Sequence, residues 1–203
     1  HVSGTAQEEA SGYARLRQLI NDRGFHLTAY ADRYAVWQQT DSGDGLNGLV
    51  QISPATDGGG MTYGPLRWLG LVIPSDRTIS HVVVGQTKWP VMQFDLVFTK
   101  DRPDTARLFV KLGWKQNGTL VAERIVPLGG GLWPTSDWPI GQAVTSRYRL
   151  LIPDAARGKT ADLTAQLVSL SGSVGLDALG QQVPIYSAIA PVGESIQLGQ
   201  WQL

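Results

Sequence analysis

The sequence predicts an α+β protein, with a small layered α/β unit over residues 1–88 followed by an antiparallel β-sandwich over residues 89–203. Three observations predict it. Helical spacing lies before Thr40, where apolar side chains recur three and four apart. From Trp89 onward that spacing vanishes, and apolar-alternating runs follow one another between Pro, Gly and Asp turns. Between two of these runs stands Asn117-Gly118, the pair that most readily supplies two positive φ angles to a two-residue hairpin loop.

Taken in order, residues 1–6 are small and polar and read as a frayed leader. Gln7 to Arg23 is a helix: Ala10, Tyr13, Leu16, Leu19 and Ile20 make its apolar stripe, Glu8 and Glu9 suit its N-terminal dipole, and Gly24 stops it. Phe25 to Tyr30 alternates as a short strand. Ala31 to Gln39 is predicted as a second helix, opened by Asp32, with Tyr34 and Trp37 three apart. Thr40 to Gly45 is a turn, Leu46 to Ser53 a strand, Pro54 to Gly60 a glycine-rich loop and Thr78 to Gly85 a buried strand. This alternation of strands and helices implies a partly parallel sheet.

The domain boundary is expected within Gln86 to Pro90. Beyond it the strands are Val91 to Thr99, Arg107 to Trp114, Thr119 to Val126, Val144 to Ile152, Ala161 to Leu170 and Glu194 to Leu203, with Pro184 to Pro191 as a bridging or edge strand. The connector from Leu128 to Gly141 stands apart. Its three glycines admit φ > 0, and Pro134 and Pro139 withhold backbone donors, so neither a helix nor a central strand can run through it. Trp133 and Trp138 argue that it is ordered, because two large rings fix a segment by burial. In the strand that follows, Val144, Ser146, Tyr148 and Leu150 fall on one face and Thr145, Arg147, Arg149 and Leu151 on the other.

Composition removes several classes of function. Formal net charge is zero and no basic run exceeds two residues, so the electrostatic footprint of a nucleic-acid binder is missing. No apolar run is long enough for a membrane span, and no export signal is recognisable. With no cysteine there is neither disulfide nor thiolate metal site. His1, His26 and His81 are too scattered for ligand spacing, and Asp41-Ser-Gly-Asp-Gly lacks the closing Glu of a calcium loop, so no metal and no cofactor are expected. Neither triple-glycine run is followed by Lys-Ser/Thr, and no serine sits in Gly-x-Ser-x-Gly, which leaves phosphate cradling and nucleophilic hydrolysis without support. Asn117-Gly-Thr matches a glycosylation acceptor, a triplet common by chance.

Seven tryptophans are the compositional oddity. An indole face stacks on the apolar face of a sugar ring while neighbouring Asp and Arg side chains bond its hydroxyls. Trp133, Asp137, Trp138 and Arg147 form the candidate ligand group on that logic, with Tyr63 as a second position, in a segment, Tyr63-Gly-Pro-Leu-Arg-Trp, whose alternative use is to face a membrane interface or a partner domain. Burial is the commoner use of such rings, so the competing reading is that Trp133 and Trp138 fold back to plug one end of the sandwich. Trp37 and Trp68 are expected in the core or in interdomain packing.

The run Gly-Gly-Gly-Leu-Trp-Pro-Thr-Ser-Asp-Trp-Pro-Ile-Gly, continued by Val144 and the Arg147-Tyr-Arg-Leu strand, resembles the extracytoplasmic C-terminal end of bacterial multi-spanning glycosyltransferases of the GT-C type, relatives of protein mannosyltransferases. The hairpin around Asn117, and more loosely Leu16 to Gly24, Ala29 to Trp37 and Leu49 to Pro54, are similar to the same family. Gln142 stands where the family usually has an acidic residue, and Arg33 follows Asp32 where an aromatic is usual. The resemblance implies an α/β segment and a β-sandwich outside the membrane, tethered by a preceding membrane region that holds the catalytic carboxylate. What it implies for this chain is a noncatalytic domain that helps bind or position a glycan or polyprenyl-phosphate-linked sugar. The alternatives are an independent carbohydrate-binding module, which needs exposed coplanar aromatics, an independent hydrolase, and a purely structural scaffold that packs domains of a larger enzyme.

Overall fold

The computed structural model describes residues 15–20, 22–31, 34–39, 50–55, 60–73, 79–84, 86–104, 108–131, 133–176 and 182–203. These residues form two mostly antiparallel β-sheets facing one another, with a short helix over 15–20. The sandwich and its small helical part are as the sequence implies. The first half of the expected helix, the Asp41 turn and the Gly58-Gly-Gly core of the early loop lie outside the described residues, in whole or part.

The larger sheet runs β2 (Tyr34–Gln39), β1 (Phe25–Ala31), β10 (Gln142–Leu151), β7 (Thr87–Lys100), β5 (Leu66–Val72), β4 (Thr62–Tyr63), with β3 (Val50–Pro54) also on β10 and β6 (Ser80–Val84) also on β7. The smaller runs β12 (Gln182–Pro191), β11 (Thr160–Leu176), β8 (Leu108–Gln116), β9 (Thr119–Pro127), with β13 (Ile196–Gln202) on β11.

Three features differ from the sequence reading. The expected helix at 31–39 is strand β2, paired antiparallel with β1 from Phe25↔Gln39 to Ala31↔Tyr34. One Tyr–Trp pair three apart is compatible with a helix, but Tyr, Val and Trp are strand formers and a cross-strand partner decides the matter. The expected parallel pairing is limited, among the described residues, to Tyr30↔Leu150 and the Lys100↔Ile140 bridge. Nor do the described residues before 88 build a sheet of their own: β5 and β6 pair with β7, and β1 and β3 pair with β10. A β7 of 14 residues makes this possible, offering its first half to β6 and its second to β5.

Alternation builds the core. On β7 the inward positions are Met92, Phe94, Leu96, Phe98 and Lys100, set opposite Leu150, Tyr148, Ser146 and Val144 of β10 for the first four. Phe94 stacks on Tyr148 with ring centroids 5.5 Å apart and reaches Trp201 of the other sheet at 6.4 Å. From that sheet Val110, Leu112, Trp114, Leu163, Ala165 and Leu167 complete the same cluster. On β13 the register shift opposite Leu163/Thr164, where Gly199 and Gln197 are the partners, leaves Leu198 as the extra residue, so Ile196, Leu198 and Trp201 all turn inward although a strict period of two would expose one of them. At the β8–β9 hairpin Asn117 has φ 50° and Gly118 φ 78°, the left-handed pair that the sequence specifies.

Candidate functional site

The connector crosses from the end of β9 in one sheet to the start of β10 in the other, so it closes one end of the sandwich. It is two 3₁₀ turns, Leu128–Gly131 and Thr135–Asp137, separated by residues 132–134. Pro134 enters the second turn with φ −60° and ψ 149°, the angles its ring prefers, and the amides of Asp137 and Trp138 then donate to the carbonyls of Pro134 and Thr135. Gly129, at φ 61°, brings the backbone against both indoles: a Cβ there would lie 3.3 Å from Trp133 Cβ and from Trp138 Nε1.

The tryptophans divide between the two sequence readings. Trp138 is 3% exposed, belongs to the core, and donates its Nε1–H to the Trp133 carbonyl at 2.9 Å. It is a plug. Trp133 is half-buried against the core, with its Nε1–H directed to the Asp137 carbonyl at 3.4 Å. The Arg17 guanidinium, from the short helix, lies 5.6 Å from its ring centroid, and Arg17 Nη1 is 3.9 Å from Asp137 Oδ2. The Ser136 hydroxyl donates to Asp137 Oδ1 at 3.0 Å, and both residues are exposed. The outer rim of the connector therefore presents an indole, a cation, a carboxylate and a hydroxyl together.

Arg147 does not join them. Its neighbours in β10 point inward, Ser146 accepting the Gly129 amide at 3.3 Å and the Tyr148 hydroxyl donating to the Pro127 carbonyl at 3.5 Å, so Arg147 projects from the opposite face of the sheet. There it meets Asp95, its direct cross-strand partner, in a two-pronged ion pair with Nε–Oδ1 at 3.0 Å and Nη2–Oδ2 at 3.2 Å. Tyr63 is likewise elsewhere: it is 3% exposed, its hydroxyl donates to Met61 Sδ at 3.7 Å, and its ring packs so closely on Gly193 that a Cβ there would fall 2.4 Å from Tyr63 Cδ1. Burial, and secondarily the Glu194 charge, push that phenol's pKa up. Of the five expected site residues, then, Trp133 and Asp137 share an accessible rim, Trp138 lies buried beneath it, and Arg147 and Tyr63 serve the sheets.

Two contributors escape the sequence reading. Arg17 comes from a helix whose polar positions carry no signal of their own. Lys100 is legible in retrospect: Phe94-x-Leu96-x-Phe98-x-Lys100 places a lysine in phase with an inward apolar face. It is 3% exposed, and its ammonium donates to the carbonyls of Thr135 and Ser136 at 2.9 and 2.8 Å.

Among the described residues no three His, Asp or Glu side chains gather in a way that would hold a metal ion, and no helix is long and apolar enough to cross a membrane. The class that the architecture defines is an antiparallel β-sandwich with an ordered tryptophan-bearing connector at one end. No protein-family model, curated protein or solved structure matches the chain.

Proposed function

We propose that this chain is a noncatalytic, extracytoplasmic domain of a membrane glycosyltransferase, and that the rim of the connector helps hold a glycan or lipid-linked sugar beside a membrane-embedded catalytic partner region. The observation that carries the reading is the rim itself. In the one stretch that resembles the GT-C family most specifically, Trp133, Ser136 and Asp137 come together, with Arg17 of the short helix beside them, on a backbone fixed from the larger sheet. A partly open indole beside a carboxylate, a hydroxyl and a guanidinium is the set of groups that sugars engage, through ring stacking and paired hydroxyl bonds. The polar side chains beneath the rim have structural employment: Lys100 bonds connector carbonyls and Ser146 bonds the Gly129 amide. This favours binding over turnover. Exposed coplanar aromatics, which an independent carbohydrate-binding module would need, are not what Trp133 and Trp138 provide, since one ring lies buried under the other's backbone.

Saturation-transfer NMR tests the reading, with mannose-, glucose- and N-acetylglucosamine-based oligosaccharides and with a polyprenyl-phosphate sugar in micelles. Transfer to at least one ligand is expected, with loss in Trp133→Ala and in Asp137→Ala while both variants keep the native fold by circular dichroism. Absence of transfer to every ligand, or transfer unchanged in both variants, refutes it.

A further inference from the structure

We infer that Lys100 is the positioning residue of the connector: the last residue of β7 holds the Trp133–Asp137 rim in place from below. Its side chain and its backbone act on two parts of the same loop. The ammonium binds the Thr135 carbonyl at 2.9 Å and the Ser136 carbonyl at 2.8 Å, inside the second 3₁₀ turn. Its carbonyl accepts the Gly141 amide at 2.9 Å, and Lys100 pairs with Ile140 in a parallel bridge just before β10 begins. Residues 135, 136 and 141 are thereby referred to a single point on a core strand.

The chemistry explains why a lysine stands there. A short 3₁₀ turn leaves carbonyls without intrahelical partners. The Ser136 carbonyl is one, because the residue three along is Pro139, and the Thr135 carbonyl, which takes the Trp138 amide at 3.3 Å, keeps a second lone pair; at the mouth of an apolar core both gain from a further donor. A long flexible chain carrying several donors on one atom satisfies both from below, while its methylene stem runs among Leu66, opposite it on β5, and the rest of the core. Because the carbonyls held belong to residues 135 and 136, the groups carried outward immediately beside them are the Ser136 hydroxyl and the Asp137 carboxylate; the carboxylate faces Arg17, and the Asp137 carbonyl takes the Trp133 Nε1–H. Lys100 touches none of the rim side chains. It acts through the backbone that bears them.

Amide hydrogen exchange followed by NMR, on the whole chain, reads this directly. In Lys100→Met, which keeps the stem and removes the donors, the Asp137, Trp138 and Gly141 amides are expected to exchange at least tenfold faster relative to those of the β7–β10 ladder. The Trp133 indole N–H, which is directed to the Asp137 carbonyl and is assigned in the same spectra, is expected to exchange faster as well. Lys100→Arg, which restores donors, should recover part of the protection. Should Lys100→Met fail to fold, Lys100→Gln, with one amide donor group in place of the ammonium, gives the same comparison at smaller amplitude. Exchange at 137, 138 and 141 that stays unchanged, or rises only in proportion to the ladder, overturns the inference. Only its consequence for binding rests on the proposed function, and a separate titration with mannotriose keeps the two apart. A loosened rim in a chain that binds no mannotriose upholds Lys100 and counts against the sugar reading. Mannotriose binding that is equal in wild type and Lys100→Met, with an unaltered rim, does the reverse.

Discussion

Trp138→Ala separates a plug from a binding surface. The residue is 3% exposed and packs in the main core, so truncation removes most of an indole's contact area and leaves a void at the mouth of the sandwich. Trp-to-Ala changes in cores cost about 3–5 kcal/mol. The Nε1–H bond to the Trp133 carbonyl at 2.9 Å is lost as well, which adds about 1 kcal/mol for an acceptor left in a part-buried place. The expected total is about 4–6 kcal/mol. Urea unfolding is the assay: at a slope of about 2–3 kcal/mol per M, the midpoint should fall by roughly 2 M with the slope unchanged. Trp138→Phe, which keeps an aromatic ring and loses the bond, should lose only about 1–2 kcal/mol. Trp133→Ala, at a half-buried ring, should cost less than Trp138→Ala. A midpoint shift below about 0.4 M for Trp138→Ala, close to 1 kcal/mol at that slope, would mean that the ring is not holding the sandwich end closed, and the division of labour between the tryptophans would fail.

Other substitutions probe the sheets. Arg147→Met should destabilise by about 1–3 kcal/mol, because Asp95, 9% exposed, loses its two-pronged partner, and a double-mutant cycle with Asp95→Asn should return a coupling of about 1 kcal/mol. Gly193→Ala should cost about 2–4 kcal/mol, from a Cβ driven into the Tyr63 ring and a φ of 127° that alanine resists; the melting temperature checks it, and Tyr63→Leu in the same chain should recover part of the loss. Burial also pushes the phenol of Tyr148 far above its ordinary value, with the Ser146 hydrogen bond lowering it only in part. Its protonated form is thus favoured in the folded chain, and the associated stability is complete below about pH 10, where the unfolded phenol titrates, and is lost as pH rises beyond that. Unfolding free energies from urea curves measured from pH 8 to 11 should fall above pH 10 by up to about 1.4 kcal/mol per pH unit from this group, and Tyr148→Phe should remove that part of the slope.

The alternating runs after Trp89 were readable because each strand there has one buried face, and a period of two is then forced on the sequence. β7, β8, β10 and β11 fall where the alternation puts them. β2 was not readable in the same way: in so short a segment the Tyr34–Trp37 spacing suits a helix, and the partner that makes it a strand is β1, a fact of pairing that no local window contains. The site shows the same limit. Trp133 and Asp137 are close in sequence and close in space, and the connector's composition announces them. Arg147 looked equally near along the chain, but one residue along a strand is the other side of a sheet, and its two-pronged bond to Asp95 lies across the strand pair from the loop. Lys100 is the converse case, remote in sequence and bonded directly to the loop.

That pairing of near and remote residues bears on how the rim would bind. A loop that orders itself around a ligand spends part of the interaction energy on the ordering, whereas one already fixed offers its groups at little further entropic cost. Here the fixing comes from groups that never face the solvent side: the Lys100 ammonium on two carbonyls, the Ser146 hydroxyl on the Gly129 amide and the Trp138 indole on the Trp133 carbonyl. They belong to strands of the larger sheet or to the buried floor of the loop itself, so the geometry of Ser136 and Asp137 is inherited from the core. Changes to those buried groups should therefore weaken a ligand without removing any contact to it, while changes to Asp137 or Trp133 should remove contacts and leave the loop in place. The two kinds of loss are separable, because only the first accelerates amide exchange in the connector.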